Sequence, residues 1–307
     1  MSDLRQQVSN YITLRRSLGF KLLQHDRLLN DFVDYLDHVG ASTVTSQLAL
    51  AWATRPTNVH PLCWKKRLSV VCGFSRYLQT IDPSVEVPAP DLLVYRYQRP
   101  TPYLYSETEI AGLIDTAGTL SPPLRAVTYQ TLFGLLAATG MRLGEAIRLD
   151  RSDFDPVTGL ILIRQTKFNK SRRLPLHPTT IAALKEYARQ RDRLGGNPRV
   201  PSFFVSTRGT RLIDACVRQV FRQIICRLGL QPRAGSGRPR IHDLRHTFAV
   251  NTLRDWYRSG MDVAGKLPLL SAYLGHVDPA STYWYLQADP ELLALAAERI
   301  RQSRGVW

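Results

Sequence analysis

A chain of 307 residues has room for two compact domains, and its 44% hydrophobic content is that of an ordinary globular protein. No apolar run approaches the ~18 residues a membrane span needs, and MSDLRQQVSNYITLRR lacks the apolar core of a signal peptide, so a cytoplasmic protein without membrane association is expected. The net charge of +16 and a pI near 10.1 favour a polyanionic partner. Cys63, Cys72, Cys216 and Cys226 form no C-x-x-C pair, so free thiols are expected, with no metal and no cofactor.

The first ~80 residues read as helical, with apolar positions at three- and four-residue spacing. Leu22, Leu28, Leu29, Phe32, Val33 and Leu36 make one stripe, and Gly40 supplies a stop. A second helix is expected over TVTSQLALAWATR, capped near Thr45 or Ser46. A third, HPLCWKKRLSVVCGFSRYLQT, interleaves lysines and arginines with Trp64, Phe74 and Tyr77; those aromatics read as core before they read as base-stacking platforms. Five prolines then fall between Asp82 and Pro102, which predicts an extended linker and places a domain boundary there.

Past the linker, SETEI is a helix start with Ser106 as cap and Glu109 at the capping-box position. LRAVTYQTLFGLLAAT reads as a buried helix. Two short strands, GLILIR and SRRLPL, are expected to form a hairpin around Lys167, Phe168, Asn169 and Lys170, because Asn169 tolerates a tight turn. The remainder is mostly helical, with loops at GGNPRVPS and PRAGSGRPR. The fold class expected is mainly α with a small antiparallel β-sheet. Charge is not spread evenly: residues 1–98 hold 11 Lys/Arg against 8 Asp/Glu, whereas residues 164–240 hold 18 against 3. A block of that kind marks a nucleic-acid surface.

The residues capable of phosphate chemistry lie in the second half. Arg142 follows Thr139-Gly140 and precedes a new helix, where backbone N–H groups already favour a phosphate; its alternative is a pair with Glu145 on the same helix. His242 and Arg245 stand at i and i+3 on one helix face, offering a proton acceptor and a planar phosphate fork. His246 reads as structural, on another face, and Asp243 either orients a neighbour or caps the helix. His276 ends the turn after LSAYLG. Asp278-Pro279 then opens a helix carrying Tyr283 and Tyr285, which lie roughly 200° apart, so only one can face a site. Two arginines, two histidines and a lysine suit phosphate binding, a tyrosine supplies a nucleophile, and no acidic cluster for a catalytic metal accompanies them.

Taken together, ATGMRLGE, TKFNK, HDLRHTFA and YLGH followed nine residues later by Tyr285 resemble the tyrosine recombinase (phage integrase) family over about residues 104–300. The resemblance implies Arg142, Lys167, His242, Arg245, His276 and Tyr285 as the catalytic set, with Tyr285 the nucleophile, His242 a candidate base and Lys167 the hairpin acid. It also implies a helical core-binding domain over 1–85, a Pro-rich linker over 86–103 and a mixed α/β catalytic domain over 104–307. Expected partners are double-stranded DNA and further copies of the chain in a tetramer on two sites, with accessory recombinases or DNA-bending proteins as additional ones. Two departures stand out. Arg245 to His276 spans 31 residues, longer than the family's compact version and closer to integrases of transposons, and Lys170 competes with Lys167 for the acid role. The terminal ELLALAAERIRQS is amphipathic and is expected either to pack on its own domain or to dock on a neighbouring protomer. A topoisomerase-like enzyme of type IB and an inactive DNA-binding regulator are the competing functions.

Overall fold

The computed structural model of the chain describes residues 2–22, 24–94, 101–164, 171–195, 200–233, 235–276, 278, 280–287 and 290–304. It divides into two compact units, Met1–Arg99 and Pro100–Trp307.

In the first unit, helices α1 (Ser2–Ser17), α2 (His25–His38), α3 (Ser46–Thr54) and α4 (Pro61–Gln79) enclose one apolar core. The expected stripe on α2 is buried at Leu29, Phe32, Val33 and Leu36. Leu22 falls outside the helix, in a left-handed backbone conformation just before it. Thr45 caps α3 by accepting from the backbone of Leu48, and His60 caps α4 ahead of Pro61 at its first position. Phe74 is buried and Trp64 donates to the carbonyl of Pro56, so these aromatics are spent on packing. Trp52 is held from two sides: its indole donates to Asp31 at 3.0 Å while the Arg67 guanidinium lies 3.8 Å over its ring. The Pro-rich stretch is not free chain at either end. Val85 and Pro88 are buried against the first unit, and Tyr103 and Tyr105 against the second.

The second unit is built on α6 (Pro123–Thr139), which is apolar nearly all round and therefore central. Helix α5 (Glu107–Gly118) packs on it and starts with the expected capping box between Ser106 and Glu109. After α7 (Leu143–Arg148) comes an antiparallel sheet in the order β1 (Phe154–Asp155), β2 (Leu160–Ile163), β3 (Arg172–Pro175). Ile161 pairs with Leu174 and Ile163 with Arg172, and this register buries Ile161, Ile163 and Leu174 on one face. The edge strand β1 carries no sequence signal, since two residues show no alternation. Helices α8 (Pro178–Gly195) and α9 (Asp214–Arg227) complete the first core.

A second core in this unit joins α10 (Asp243–Arg258), α11 (Val263–Leu274), α12 (Ala280–Gln287) and α13 (Pro290–Arg304). The long stretch between Arg245 and His276 is taken up by α10, one turn and α11, not by an extended loop. Helix α13 packs on α10 of its own chain: Leu292 is fully buried, and Glu291 pairs with Arg254 and Arg258. Mainly helical with one small antiparallel sheet, the architecture is the expected one.

Candidate active site

Two left-handed glycines shape the site. Gly140 ends α6 at φ 59° and Gly275 ends α11 at φ 70°, conformations a side chain would strain. At each, a residue expected in the site follows: Arg142 caps α7 two positions after Gly140, and His276 follows Gly275 directly.

Three arginines fix the second of these turns. Arg172 on β3 donates from Nε to the carbonyl of Tyr273 at 3.0 Å, Arg245 from Nη2 to Leu274 at 2.8 Å, and Arg142 from Nη2 to Gly275 at 3.0 Å. These are three successive carbonyls at the C-terminal end of α11, where unpaired acceptors and the negative end of the helix dipole attract cations. Arg245 also donates from Nη1 to the carbonyl of Gly140 at 2.9 Å, so one side chain ties both glycine turns together. Beneath them sits Glu145, 4% exposed. It accepts a two-pronged contact from Arg172 at 2.8 and 3.1 Å and a third bond from Arg142 Nη1 at 2.9 Å. Burial alone would raise the Glu145 carboxyl, but the bonds and charges of Arg172 and Arg142 outweigh it and hold the group below the usual range. Both sequence readings of Arg142 therefore hold at once: it pairs with Glu145, and that pairing aims it.

Burial, and after it the neighbouring charge of Arg142, pushes Arg245 down to about 10, still protonated at neutral pH. His242 occupies the cap position of α10 with an exposed edge. Crowding around its ring, then Arg245, Arg142, Arg240 and Arg218 in turn, pushes it down to about 4, so the imidazole is neutral at pH 7. Asp243 beside it is fully buried and takes the backbone and guanidinium of Arg240, which locks the start of α10.

Tyr285 is 1% exposed and Tyr283 52% exposed, as a 200° separation requires. The ring of His276 stacks on Tyr285 with centroids 6.0 Å apart, and its Nδ1 is paired with the Thr282 hydroxyl at 2.6 Å. Arg245 lies close enough to Tyr285 for an ionised phenol to act on its guanidinium. Arg142, His242, Arg245, His276 and Tyr285 are thus brought into one site. Lys167 and Lys170 lie outside the described residues, as does Pro279.

Two participants were not picked out in the sequence. Arg172 sits in SRRLPL, where nothing distinguishes it from Arg173 until the strand register turns it toward Glu145. His246 was read as facing elsewhere, and that reading is overturned. Its Nδ1 lies 3.3 Å from the Tyr285 hydroxyl, and its ring meets His242 edge-on at 4.8 Å. The spacing from His242 is four residues, which puts the two on one helix face; that signal was present in HDLRH.

The same architecture is seen in solved structures of two integrases. The Tn1549 transposon integrase, solved with a circular-intermediate DNA, matches with a TM-score of 0.67 at 15% identity, covering 96% of this chain and 99% of that one. A lambda integrase tetramer on a Holliday junction matches with a TM-score of 0.62 at 17% identity, covering 92% and 76%. In sequence, an integrase/recombinase of Sinorhizobium fredii, y4rB, is 42% identical over 98% of both chains, and the tyrosine recombinase XerC of Alcanivorax borkumensis is 28% identical over 75% of this chain and 70% of its own. Residues 105–291 match the phage integrase family, and the chain belongs to that family, the tyrosine recombinases that break and rejoin DNA.

Proposed function

We propose that this recombinase integrates or excises a mobile element, cutting and rejoining duplex DNA through a 3′-phosphotyrosine on Tyr285. One observation carries the reading: a buried tyrosine whose hydroxyl is held by one histidine and whose ring stacks on another, within electrostatic reach of a buried arginine. A free phenol, with a pKa of ~10, is a poor nucleophile until it loses its proton, and this environment supplies acceptors.

In the proposed step Tyr285 Oη attacks phosphorus, the P–O5′ bond breaks, and a site histidine takes the phenol proton, His242 being one candidate. Arg142 and Arg245, with His276, stabilise the charge growing on the non-bridging oxygens. Lys167, or Lys170 three residues on, protonates the departing 5′-oxygen. The ester conserves the energy of the broken bond, so a 5′-hydroxyl from a second duplex reverses the step and completes exchange.

Residues 1–85 are assigned to a DNA-clamping domain, 86–103 to a linker and 104–307 to catalysis. Phosphate contacts from the basic 164–240 stretch set affinity and its salt dependence. The working unit is a tetramer on two sites, in line with the tetrameric lambda integrase, assisted by accessory recombinases or DNA-bending proteins. The transposon integrase match supports a mobile-element role.

The test is a nicked suicide duplex built from the DNA flanking the gene. A covalent protein–DNA adduct forms with the native protein and with Tyr283→Phe, and is absent with Tyr285→Phe. An adduct that survives Tyr285→Phe sinks the assignment.

A further inference from the structure

Four residues after His242, His246 lies on the same face of α10 and is 5% exposed. Its ring is packed by three others: His242 edge-on at 4.8 Å, Trp284 at 5.4 Å and Tyr285 at 5.5 Å. Through Nδ1 it meets the Tyr285 hydroxyl at 3.3 Å, within hydrogen-bond reach. Of the three packed rings, His242 and Tyr285 are titratable, and the charged Arg245 precedes His246 in the chain. An imidazole so packed is restricted in rotation, and in the tautomer protonated on Nε2 its Nδ1 accepts from the Tyr285 hydroxyl.

We infer that His246, and not His242, accepts the phenol proton when Tyr285 attacks DNA, which makes it a further catalytic residue. The inference rests on Tyr285 being the nucleophile. As Oη forms its bond to phosphorus, its proton moves to the unprotonated Nδ1 of His246, leaving an imidazolium. The P–O5′ bond breaks with its electron pair on the 5′-oxygen, which takes a proton from the hairpin lysine. One P–O bond forms and one breaks, one proton is gained by His246 and one lost by the lysine, and the reverse step returns both.

His242 is unsuited to that task and suited to another. Although His242 is exposed at one edge, crowding around its ring and four guanidinium groups push it down to about 4, a weak acceptor for a phenol proton. In the proposed step Arg142 and Arg245 hold the phosphate, and a neutral imidazole beside them donates a hydrogen bond to a non-bridging oxygen. Two histidines one helical turn apart thus divide the work, one serving the nucleophile and one the phosphate.

The experiment uses the full-length protein, the suicide duplex described above and a second duplex with a bridging sulfur in place of the 5′-oxygen, whose thiolate leaves without being protonated. His246→Asn and His246→Gln are compared with the native protein for DNA binding, melting temperature and single-turnover adduct formation. The expected result is native binding with cleavage slowed ~10²-fold or more at pH 7, not restored by the sulfur-bridged duplex. Added imidazoles should restore His246→Gly with rates that follow their basicity, a response that lost packing would not produce. Cleavage by His246→Asn within about threefold of native, full restoration by the sulfur bridge, or no response to imidazoles overturns the proposal. A native protein that forms no adduct, or an adduct in Tyr285→Phe, counts instead against Tyr285 as nucleophile.

Discussion

Arg142 donates through Nη2 to the carbonyl of Gly275, 3.0 Å away across 133 residues of sequence. That bond joins the start of α7 to the end of α11, and with the parallel bonds of Arg245 and Arg172 it sets the position of His276. The arginines of this site therefore do two jobs. They organise the turn that presents a histidine, and they keep a positive field where a phosphate would sit.

Replacing Arg142 by lysine keeps the charge and removes the fork. A single ammonium cannot reproduce the planar contacts to Glu145 and Gly275 together. Cleavage of the suicide duplex should fall ~10²–10³-fold while gel-shift affinity stays near native. Near-native cleavage by Arg142→Lys would show that charge alone suffices.

Glu145 tests the hidden layer. Arg172→Leu leaves a nearly buried carboxylate short of its two-pronged partner, a change that costs on the order of 3–5 kcal/mol. The melting temperature should drop accordingly, and Arg172→Leu combined with Glu145→Leu should be more stable than Arg172→Leu alone. Additive losses in a double-mutant cycle would refute the coupling.

Gly275→Ala combines two penalties. The backbone φ is 70°, and an added Cβ would lie 2.6 Å from Nη1 and 2.8 Å from Cζ of Arg172. Strain at such a position costs about 1–3 kcal/mol. The turn should open and His276 move with it, so cleavage should fall further than stability accounts for; a variant with native cleavage would mean the turn does not need this conformation.

His242 predicts a pH response with a definite sign. Its folded value, about 4, lies below the ordinary 6.5, so the unfolded chain binds the proton more readily. Its contribution is constant above about pH 6.5, destabilises the fold progressively as pH falls from 6.5 to 4, and levels off below. Solvent at the exposed edge of the ring reduces the size of the effect. The slope of stability against pH in this window should flatten in His242→Asn. An unchanged slope would assign it to other groups.

Local pattern carried much of the architecture. The α2 stripe at Leu29, Phe32, Val33 and Leu36, the capping box at Ser106 and Glu109, and the alternation of Ile161 and Ile163 each declare an element within a few residues, because propensity and burial act over one or two turns. The two-residue β1 had no such signal. Leu22 broke the α2 stripe because periodicity alone does not show where a helix begins.

For the site, sequence alone determined the cast: the order and spacing of Arg142, His242, Arg245, His276 and Tyr285, and the 200° that separates Tyr283 from Tyr285. Only the tertiary structure decided how they are held. Three arginines from α7, β3 and α10 meet successive carbonyls at the end of α11, a convergence no local window contains, because partners up to 133 residues apart become neighbours only when α6, α10 and α11 pack. The contact between His246 and Tyr285 belongs to the same class. Helical spacing put His246 beside His242, but packing of α12 on α10 put the tyrosine hydroxyl against it. Covalent order fixes which groups exist and which face they share; burial of a common core fixes which of them touch.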